Sequence, residues 1–228
     1  MDENRPVFFI PIRPYLRAAL VACNLALAPP ASAQTGAAMT AIEHMTPGSP
    51  PAGFTFARTG RGREGEWIVT ADRTAASGQA IEQTSTDRTD YRFPLAIQES
   101  LSAADVDVEI RFKAVAGKTD QAAGIAVRLM DADNYYVARA NALEDNVRFY
   151  RVVDGRREQL DGVNLKVIAN EWHRLGLRAE GKRFTVSYDG KPLFTATDAT
   201  FAEAGGVALW TKSDSVTRFD QLTITILP

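Results

Sequence analysis

Short runs in which apolar and polar residues alternate recur along most of this chain. Clear examples are residues 106–112 (VDVEIRF), 184–188 (FTVSY) and 222–226 (LTITI). Successive side chains of a β-strand point to opposite faces, so this period of two predicts half-buried strands. A sustained 3.6-residue apolar period is hard to find, and the best stretch, residues 95–104, is short. We therefore expect an all-β chain with little helix.

Two dipeptides between these runs are typical of tight β-hairpins. Asp154-Gly155 separates one pair of apolar runs, and Asp189-Gly190 separates another. Both central positions of a type I′ turn need positive φ, which Gly adopts freely and Asp tolerates. The two dipeptides therefore predict two antiparallel hairpins.

The closing stretch, residues 206–220, predicts two further strands paired edge to edge through a polar Lys-Ser-Asp-Ser turn. In all, roughly a dozen short strands are expected, at the spacing of about 8 to 12 residues that is typical of sandwiches and barrels. No repeat of fixed length is found, which disfavours a propeller or solenoid. The fold class we predict is an all-β, two-sheet antiparallel β-sandwich.

The N-terminus has the pattern of a secretion signal. Arg13 and Arg17 precede the apolar run 18–28, and Ala31-Ser32-Ala33 follows it. The run is shorter than the roughly 20 apolar residues that a membrane span needs, so cleavage after Ala33 is expected rather than a membrane anchor. The small-residue pattern before Cys23 leaves lipidation as an alternative.

This pattern divides the chain into a signal peptide (residues 1–33), a flexible linker rich in Ala, Gly, Thr and Pro (34–52) and one jelly-roll domain (53–228). Cleavage would remove the only cysteine, so the exported protein would need no disulfide. We expect a periplasmic or secreted protein.

Charge and motifs exclude several function classes. The formal net charge of −2, with both signs interspersed, gives no basic surface for nucleic acid. Residues 60–65 match G-x-G-x-x-G, but a strand pattern follows where a dinucleotide site needs a helix. No G-x-S-x-G elbow occurs, and the histidines, His44 and His173, lie far apart, so we expect neither a serine hydrolase nor a zinc site.

Acidic residues offer two further possibilities. Residues 105–109 place three acids on one face of one strand, and we interpret this face as solvated. Turn oxygens of Asp131, Asp133 and Asn134, or of Glu144, Asp145 and Asn146, are candidate calcium ligands, although acidic turns are common without a metal. No other cofactor is expected.

Residues 124–128, 135–141 and 208–212 together predict a sheet face suited to a sugar. In residues 124–128, small residues flank an Arg and leave open space above the sheet. Flat apolar rings stack on sugars, while fixed polar groups read hydroxyls. An alternative stays open, in which the Trp packs in the core and the arginines pair with acids. The candidate ligand-binding residues are Arg128, Tyr135, Arg139, Asn141, Trp210 and Lys212.

Several segments together resemble a known superfamily: residues 65–69, 124–128, 133–136, 171–175 and 206–210, with Phe219-Asp220 near the end. They are similar to the concanavalin A-like lectins and glucanases, and within them to laminin G-like domains grouped with the 3-keto-disaccharide hydrolase domain family. The resemblance implies a jelly roll whose concave sheet binds or cuts glycans.

This chain departs from the enzymes of that superfamily. The E-x-D-x-x-E strand of the related glucanases is absent. Trp210 and Lys212 stand where many keto-sugar-acting members of the family carry Gln and His. Our first hypothesis is therefore an exported carbohydrate-binding domain.

Two alternatives remain. The first is a glycoside or 3-keto-glycoside hydrolase or lyase, for which Glu144, Asp145 and Asp214 are candidate acid/base residues. The second is an interaction domain that recognises another envelope protein through a sheet edge.

Overall fold

Antiparallel strands build the part of the chain that the structure, a computed structural model, describes: Met1 and residues 37–228. The strands are β1 (Ala37–Met39), β2 (Phe54–Gly60), β3 (Trp67–Ala71), β4 (Gln79–Gln83), β5 (Arg92–Gln98), β6 (Val106–Ala116), β7 (Ala122–Asp131), β8 (Asn134–Asn141), β9 (Asn146–Val153), β10 (Arg156–Asn164), β11 (His173–Glu180), β12 (Arg183–Tyr188), β13 (Lys191–Thr197), β14 (Gly206–Trp210) and β15 (Val216–Ile226). The predicted signal peptide, with Cys23, lies outside the described residues.

The strands form two sheets. One runs in the order β13-β12-β11-β6-β15-β4-β3, with β1 also paired to β15, and the other in the order β10-β9-β8-β7-β14-β5-β2. The only helix in the described chain is one 3₁₀ turn, Ile42–His44, and no described helix is long and apolar enough to cross a membrane. The predicted all-β sandwich is confirmed.

The main core lies between the two sheets because each strand buries alternate residues. On β6, Val108, Ile110 and Phe112 join the core, while Asp107 and Glu109 between them point outwards. A second buried cluster is formed by residues of the seven-stranded sheet that lie between core residues along their strands. Ala126 and Trp210, for example, are next to the core residues Ile125 and Leu209 and point to the opposite face. The second cluster therefore lies on the outer face of that sheet, where the candidate site is found.

Both predicted dipeptide hairpins are confirmed. Asp154 and Gly155 join β9 to β10 with φ angles of 48° and 72°. Asp189 and Gly190 join β12 to β13 with φ angles of 47° and 74°. The left-handed conformation at both central positions is the one expected for a type I′ turn.

The predicted closing hairpin is wrong, because its two strands belong to different sheets. β14 pairs with β5 and β7, whereas β15 pairs with β6 and β4. The polar segment between them crosses from one sheet to the other. Asp214 in this segment accepts three backbone N–H groups from Lys118, Thr119 and Asp120, which tie the crossing to the β6–β7 loop.

The flexible linker predicted for residues 34–52 is also corrected over its described part. β1 adds a short strand beside β15, and Ile42 is buried in the core with 2% of its surface exposed. Val69 exchanges backbone hydrogen bonds with Gly48 and Ser49. The Pro and Gly residues of this segment interrupt the apolar alternation from which a strand is predicted. The described part of the segment is nevertheless ordered, because Ile42 packs in the core and backbone groups form hydrogen bonds with the sandwich.

Candidate functional site

The outer face of the seven-stranded sheet has an apolar part and a polar end. Apolar side chains of β5, β7, β8, β9 and β14 form the buried cluster along most of the face. At the end of this face, next to the β8–β9 turn, seven side chains gather, and we call them the polar cluster: Asp120, Arg139, Asn141, Glu144, Asn146, Tyr150 and Lys212.

Strand register brings the polar cluster together. Asn141 on β8 lies opposite Asn146 on β9, with the turn that carries Glu144 between them. Arg139 lies two residues before Asn141 and therefore points to the same face. Lys212 follows β14 by two residues and reaches the cluster from the other side of β7.

Arg139 is the centre of the hydrogen-bond network. Its Nη1 donates to Asn146 Oδ1 at 2.7 Å, and its Nη2 donates to Glu144 Oε2 at 2.7 Å and to Tyr150 OH at 3.1 Å. Hydrogen bonds with a charged partner are shorter and stronger than neutral ones. Arg139, with only 3% of its surface exposed, is therefore held in one orientation by side chains of the cluster.

Lys212 links the two carboxylates of the cluster. Its ammonium lies 2.9 Å from Asp120 Oδ1 and 3.4 Å from Glu144 Oε1, and Asn141 Nδ2 donates to the same Asp120 oxygen at 2.8 Å. Glu144 thus lies between two cations. Its side chain is 38% exposed, compared with 2% for Asp120, so Glu144 is the carboxylate of this network that faces solvent.

The two carboxylates have pKa values shifted in opposite directions. Burial raises the pKa of Glu144, but the charge and hydrogen bonds of Arg139, Asn146 and Lys212 outweigh burial and lower it to about 2. Burial raises the pKa of Asp120 above its ordinary value, and the hydrogen bond from Lys212 only partly opposes this. Glu144 is therefore a fixed negative charge at neutral pH.

Three of the six predicted ligand-binding residues, Arg139, Asn141 and Lys212, meet in the polar cluster. Trp210 and Tyr135 lie on the same face, but both side chains are fully buried, which corrects the expectation of exposed stacking surfaces. Trp210 stacks on Phe93 with a centroid distance of 5.2 Å, and its Nε1 donates to Tyr135 OH at 3.2 Å.

A glycine explains how the Trp210 ring lies on the sheet. Gly124 on β7 is the cross-strand partner of Trp210, and a Cβ at Gly124 would come within 3.1 Å of Trp210 Cε3 and 2.9 Å of the Ala138 carbonyl oxygen. The absent side chain lets the indole approach the backbone closely. The open space that the sequence predicted above residues 124–126 is thus filled by the chain's own tryptophan.

Arg128 is far from the polar cluster, near the opposite end of β7. Its guanidinium donates to the carbonyl oxygens of Ala104, Phe201 and Gly181 and pairs with Asp105 at 2.9 Å. These partners occupy all of its nitrogens and join three loops. The structure corrects the grouping of Arg128 with Arg139 and Lys212, because Arg128 is a structural connection.

The remaining predicted site residues have local roles in turns. Asp145 pairs with Lys166 and accepts the Val167 N–H, and its pKa is lowered mainly by the Lys166 hydrogen bond. Asp214 organises the sheet crossing, as described above. Of the three acid/base candidates, only Glu144 therefore lies in the polar cluster.

The predicted calcium ligands of the 131–134 turn bind one another. Asp131 Oδ1 accepts hydrogen bonds from the backbone N–H of Asp133 at 2.7 Å and from Asn134 Nδ2 at 3.0 Å. Across Met1 and residues 37–228, no group of three or more His, Cys, Asp or Glu side chains is arranged to hold a metal ion. The geometry favours a hydrogen-bonded turn, and a role for calcium stays a prediction.

Sequence reasoning missed two members of the polar cluster, Asp120 and Tyr150, and it named Asn146 only as a candidate calcium ligand. The alternation along β9 indicates which residues share a face of the strand with Tyr150. The side chains that Tyr150 contacts on β8 depend on the β8–β9 register, which the sequence alone does not provide. Asp120 precedes its strand and reaches the cluster only through the backbone of the β6–β7 loop.

The two packed antiparallel sheets form a jelly-roll sandwich, with the polar cluster on the outer face of one sheet. The structure is similar to a carbohydrate-binding module, CBM66 of Bacillus subtilis, with a TM-score of 0.60 and 24% identity over 76% of this chain and 95% of that one. It is also similar to the β-glucanase of Bacillus licheniformis, with a TM-score of 0.52 and 13% identity over 79% and 95% of the two chains. These similarities show the fold.

A family model described as the C-terminal lectin domain of galactocerebrosidase matches residues 104–227, more than half of the chain. The chain belongs to this family. The predicted class, a carbohydrate-binding jelly-roll domain of the concanavalin A-like superfamily, is thereby confirmed. The levanase of Bacillus subtilis strain 168 is 29% identical over 94 residues, which cover 41% of this chain and 13% of the levanase.

Proposed function

We propose that this protein binds a glycan at the polar cluster, with Glu144 and Lys212 making the first contacts and Arg139, Asn141 and Asn146 behind them. A sugar hydroxyl can donate and accept, so neighbouring hydroxyls need donors and acceptors held at fixed positions. The cluster offers carboxylate, amide, ammonium and guanidinium groups within one network. Sites of this kind are common where a few polar groups meet on a mostly apolar surface.

The observation that carries the proposal is the position of Glu144. It is held by Arg139 and Lys212, remains ionised because its pKa is about 2, and is nevertheless 38% exposed. Exposure alone does not mark a site, since Glu109 is 40% exposed in a surface pair with Arg174. Glu144 differs because its partner Arg139 is only 3% exposed and Lys212 lies on its other side. A partly exposed, oriented carboxylate is suited to accept two sugar hydroxyls.

Export is part of the proposal. The pattern of residues 1–33 supports secretion by cleavage after Ala33, which would place the domain in the periplasm or outside the cell, where polysaccharides are encountered. The names of the relatives suggest the first probes: levan oligosaccharides for the levanase and β-galactosides for the galactocerebrosidase family. Which of these this chain binds is left to the experiment.

The test is calorimetric titration of the protein with levan oligosaccharides, β-galactosides, arabinotriose and mannose, with and without calcium. The decisive variant is Glu144→Gln, which keeps the shape and removes the charge. We expect at least a tenfold loss of affinity, because hydrogen bonds to a charged group contribute about 1.5 to 3 kcal/mol.

Glu109→Gln is the matched control. Glu109 is 40% exposed and pairs with Arg174, but it lies on the outer face of the other sheet. Binding that is unchanged in E144Q, or equally weakened in E109Q, contradicts the site. Failure of all sugars to bind would shift support to the envelope protein partner.

A second candidate function is glycoside or 3-keto-glycoside hydrolysis. The opposite pKa shifts of Asp120 and Glu144, which share the Lys212 ammonium, are the arrangement by which enzymes separate an acid from a base. Incubation with the same glycans and with 3-keto-disaccharides tests it by product detection. Turnover that disappears in E144Q would support an enzyme, and saturable binding without product supports the lectin function.

A further inference from the structure

A second guanidinium lies next to the polar cluster, over an aromatic surface. The Arg157 guanidinium carbon is 4.3 Å from the ring centroid of Tyr150, 4.8 Å from that of Phe93 and 6.0 Å from that of Trp210. The guanidinium carbon of Arg139 lies over the same Tyr150 ring at 5.7 Å. Tyr150 therefore joins the polar cluster to a neighbouring position built around Arg157.

The charge of Arg157 has no acidic partner in the part of the chain that the structure describes. Within residues 37–228 it forms no ion pair, and its buried Nη1 has no hydrogen-bond acceptor. Arg139 on β8 and Arg151 on β9, by contrast, are each paired with a carboxylate. A half-buried guanidinium that keeps unused donors is costly for the fold alone.

The aromatic rings fix this guanidinium for recognition. Arg stacks on aromatic faces and presents a rigid fork of N–H donors that matches a carboxylate in two parallel hydrogen bonds. The Tyr91 hydroxyl accepts the Arg157 backbone N–H at 2.7 Å and holds the strand in place. Arg157 also lines a cavity of about 700 Å³ at the β9–β10 hairpin, which leaves room beside it. Of the two carboxylates in the cavity wall, Glu158 is paired with Arg151, and Asp154 lies in the hairpin turn.

We propose that Arg157, with Tyr150 beneath it, forms a second subsite that binds the carboxylate of an acidic sugar residue next to the sugar held in the polar cluster. The proposal rests on the proposed glycan binding and specifies its ligand as an acidic oligosaccharide. Stacking fixes the plane of the guanidinium in advance, so little side-chain entropy is lost when the carboxylate binds.

The test compares two ligands that differ only at the sugar C6 position, digalacturonate and its neutral counterpart digalactose. Titration calorimetry with the full chain should show the acidic disaccharide binding at least tenfold more tightly, with a preference that decreases as salt is raised. In Arg157→Met the preference should disappear while digalactose binding is retained. Arg157→Lys should retain only part of it, because Lys keeps the charge but loses the planar fork.

Arg183→Met is the matched control, since Arg183 is an exposed arginine on β12 of the other sheet and its replacement removes the same charge. Circular dichroism and thermal unfolding confirm that each variant is folded. Equal affinities in the wild type, or a preference that persists in R157M or is lost equally in R183M, would overturn the subsite. If digalactose binds through Glu144 with no acidic preference, only this inference fails. If neither disaccharide binds and levan oligosaccharides, β-galactosides, arabinotriose and mannose also fail to bind, the proposed function is contradicted as well.

Discussion

Arg128 and Arg139 are two nearly buried arginines on neighbouring strands of one sheet, and they serve different purposes. Arg128 is 1% exposed and donates to three backbone carbonyl oxygens and one carboxylate. Arg139 is 3% exposed and donates only to side chains: an amide, a carboxylate and a phenol. Burial alone therefore does not distinguish them.

The kind of partner distinguishes them instead. Backbone carbonyls cannot turn towards a ligand. A guanidinium that joins three loops through their carbonyls therefore stabilises the fold. Side-chain partners can exchange hydrogen bonds with an incoming hydroxyl, and the partner of Arg139 that faces solvent, Glu144, is the one suited to do so. We therefore expect the two ends of this sheet to respond differently to substitution.

The largest expected effect is the loss of stability in Arg128→Met. The substitution leaves three backbone carbonyl oxygens and the partly exposed Asp105 without their donor. Hydrogen bonds to a charged group contribute about 1.5 to 3 kcal/mol each, so we expect a loss of about 3 to 5 kcal/mol. Arg139→Met should cost less stability, because Glu144 is exposed enough to be rehydrated, but should lose glycan affinity. Chemical denaturation and titration of both variants check the contrast, and equal stability losses would contradict it.

Trp210→Ala is expected to destabilise the protein by about 3 to 5 kcal/mol, the usual range for truncating a buried aromatic side chain. Trp210 is fully buried against Phe93 and Gly124, so it belongs with Arg128 as part of the fold. Urea denaturation measures the change. If W210A is as stable as the wild type but no longer binds glycan, Trp210 contacts the sugar directly, as the sequence predicted.

A smaller effect should appear as a pH dependence in Glu144→Gln. The pKa of Glu144 is lowered from 4.5 to about 2, so its ionised form stabilises the fold above about pH 4.5, and this contribution is lost as the pH falls towards 2. The stability difference between wild type and E144Q should therefore be constant above pH 5 and should decrease in acid. Chemical denaturation of both proteins from pH 2 to 7 measures this stability difference. A difference that does not change with pH would contradict the prediction.

The smallest effect is expected on the outer face of the other sheet. Arg174 and Glu109 form an ion pair 44% and 40% exposed. Surface pairs contribute between about 0 and 1 kcal/mol, so Arg174→Gln should barely change stability and should leave glycan binding unaltered. Thermal unfolding and titration check both, and a large loss in either would mean that this face has a role of its own.

Much of the strand content followed from the sequence because alternation and Asp-Gly turns are local signals. The β9–β10 and β12–β13 hairpins are correctly predicted because each depends on residues adjacent in the chain. The 206–220 hairpin failed because adjacent strands can pair or cross between sheets, and the partner of β15 proved to be β6. Of the site, Arg139, Asn141 and Lys212 were found from facing patterns, whereas Tyr150 and Asp120 required strand register.

By itself, the sequence determined that this chain forms an all-β, two-sheet sandwich, because period-two alternation and turn chemistry are set by neighbouring residues. The lectin type was implied by the resemblance of several short segments to a known superfamily. Only the tertiary structure decided which polar side chains share a face and which are already committed to structural partners. The reason is physical: hydrogen bonds, burial and pKa shifts depend on distances between residues far apart in the chain. The tertiary structure thereby assigned Trp210 and Arg128 to the fold, and it placed Glu144 and Arg157 on the face where we propose that a glycan binds.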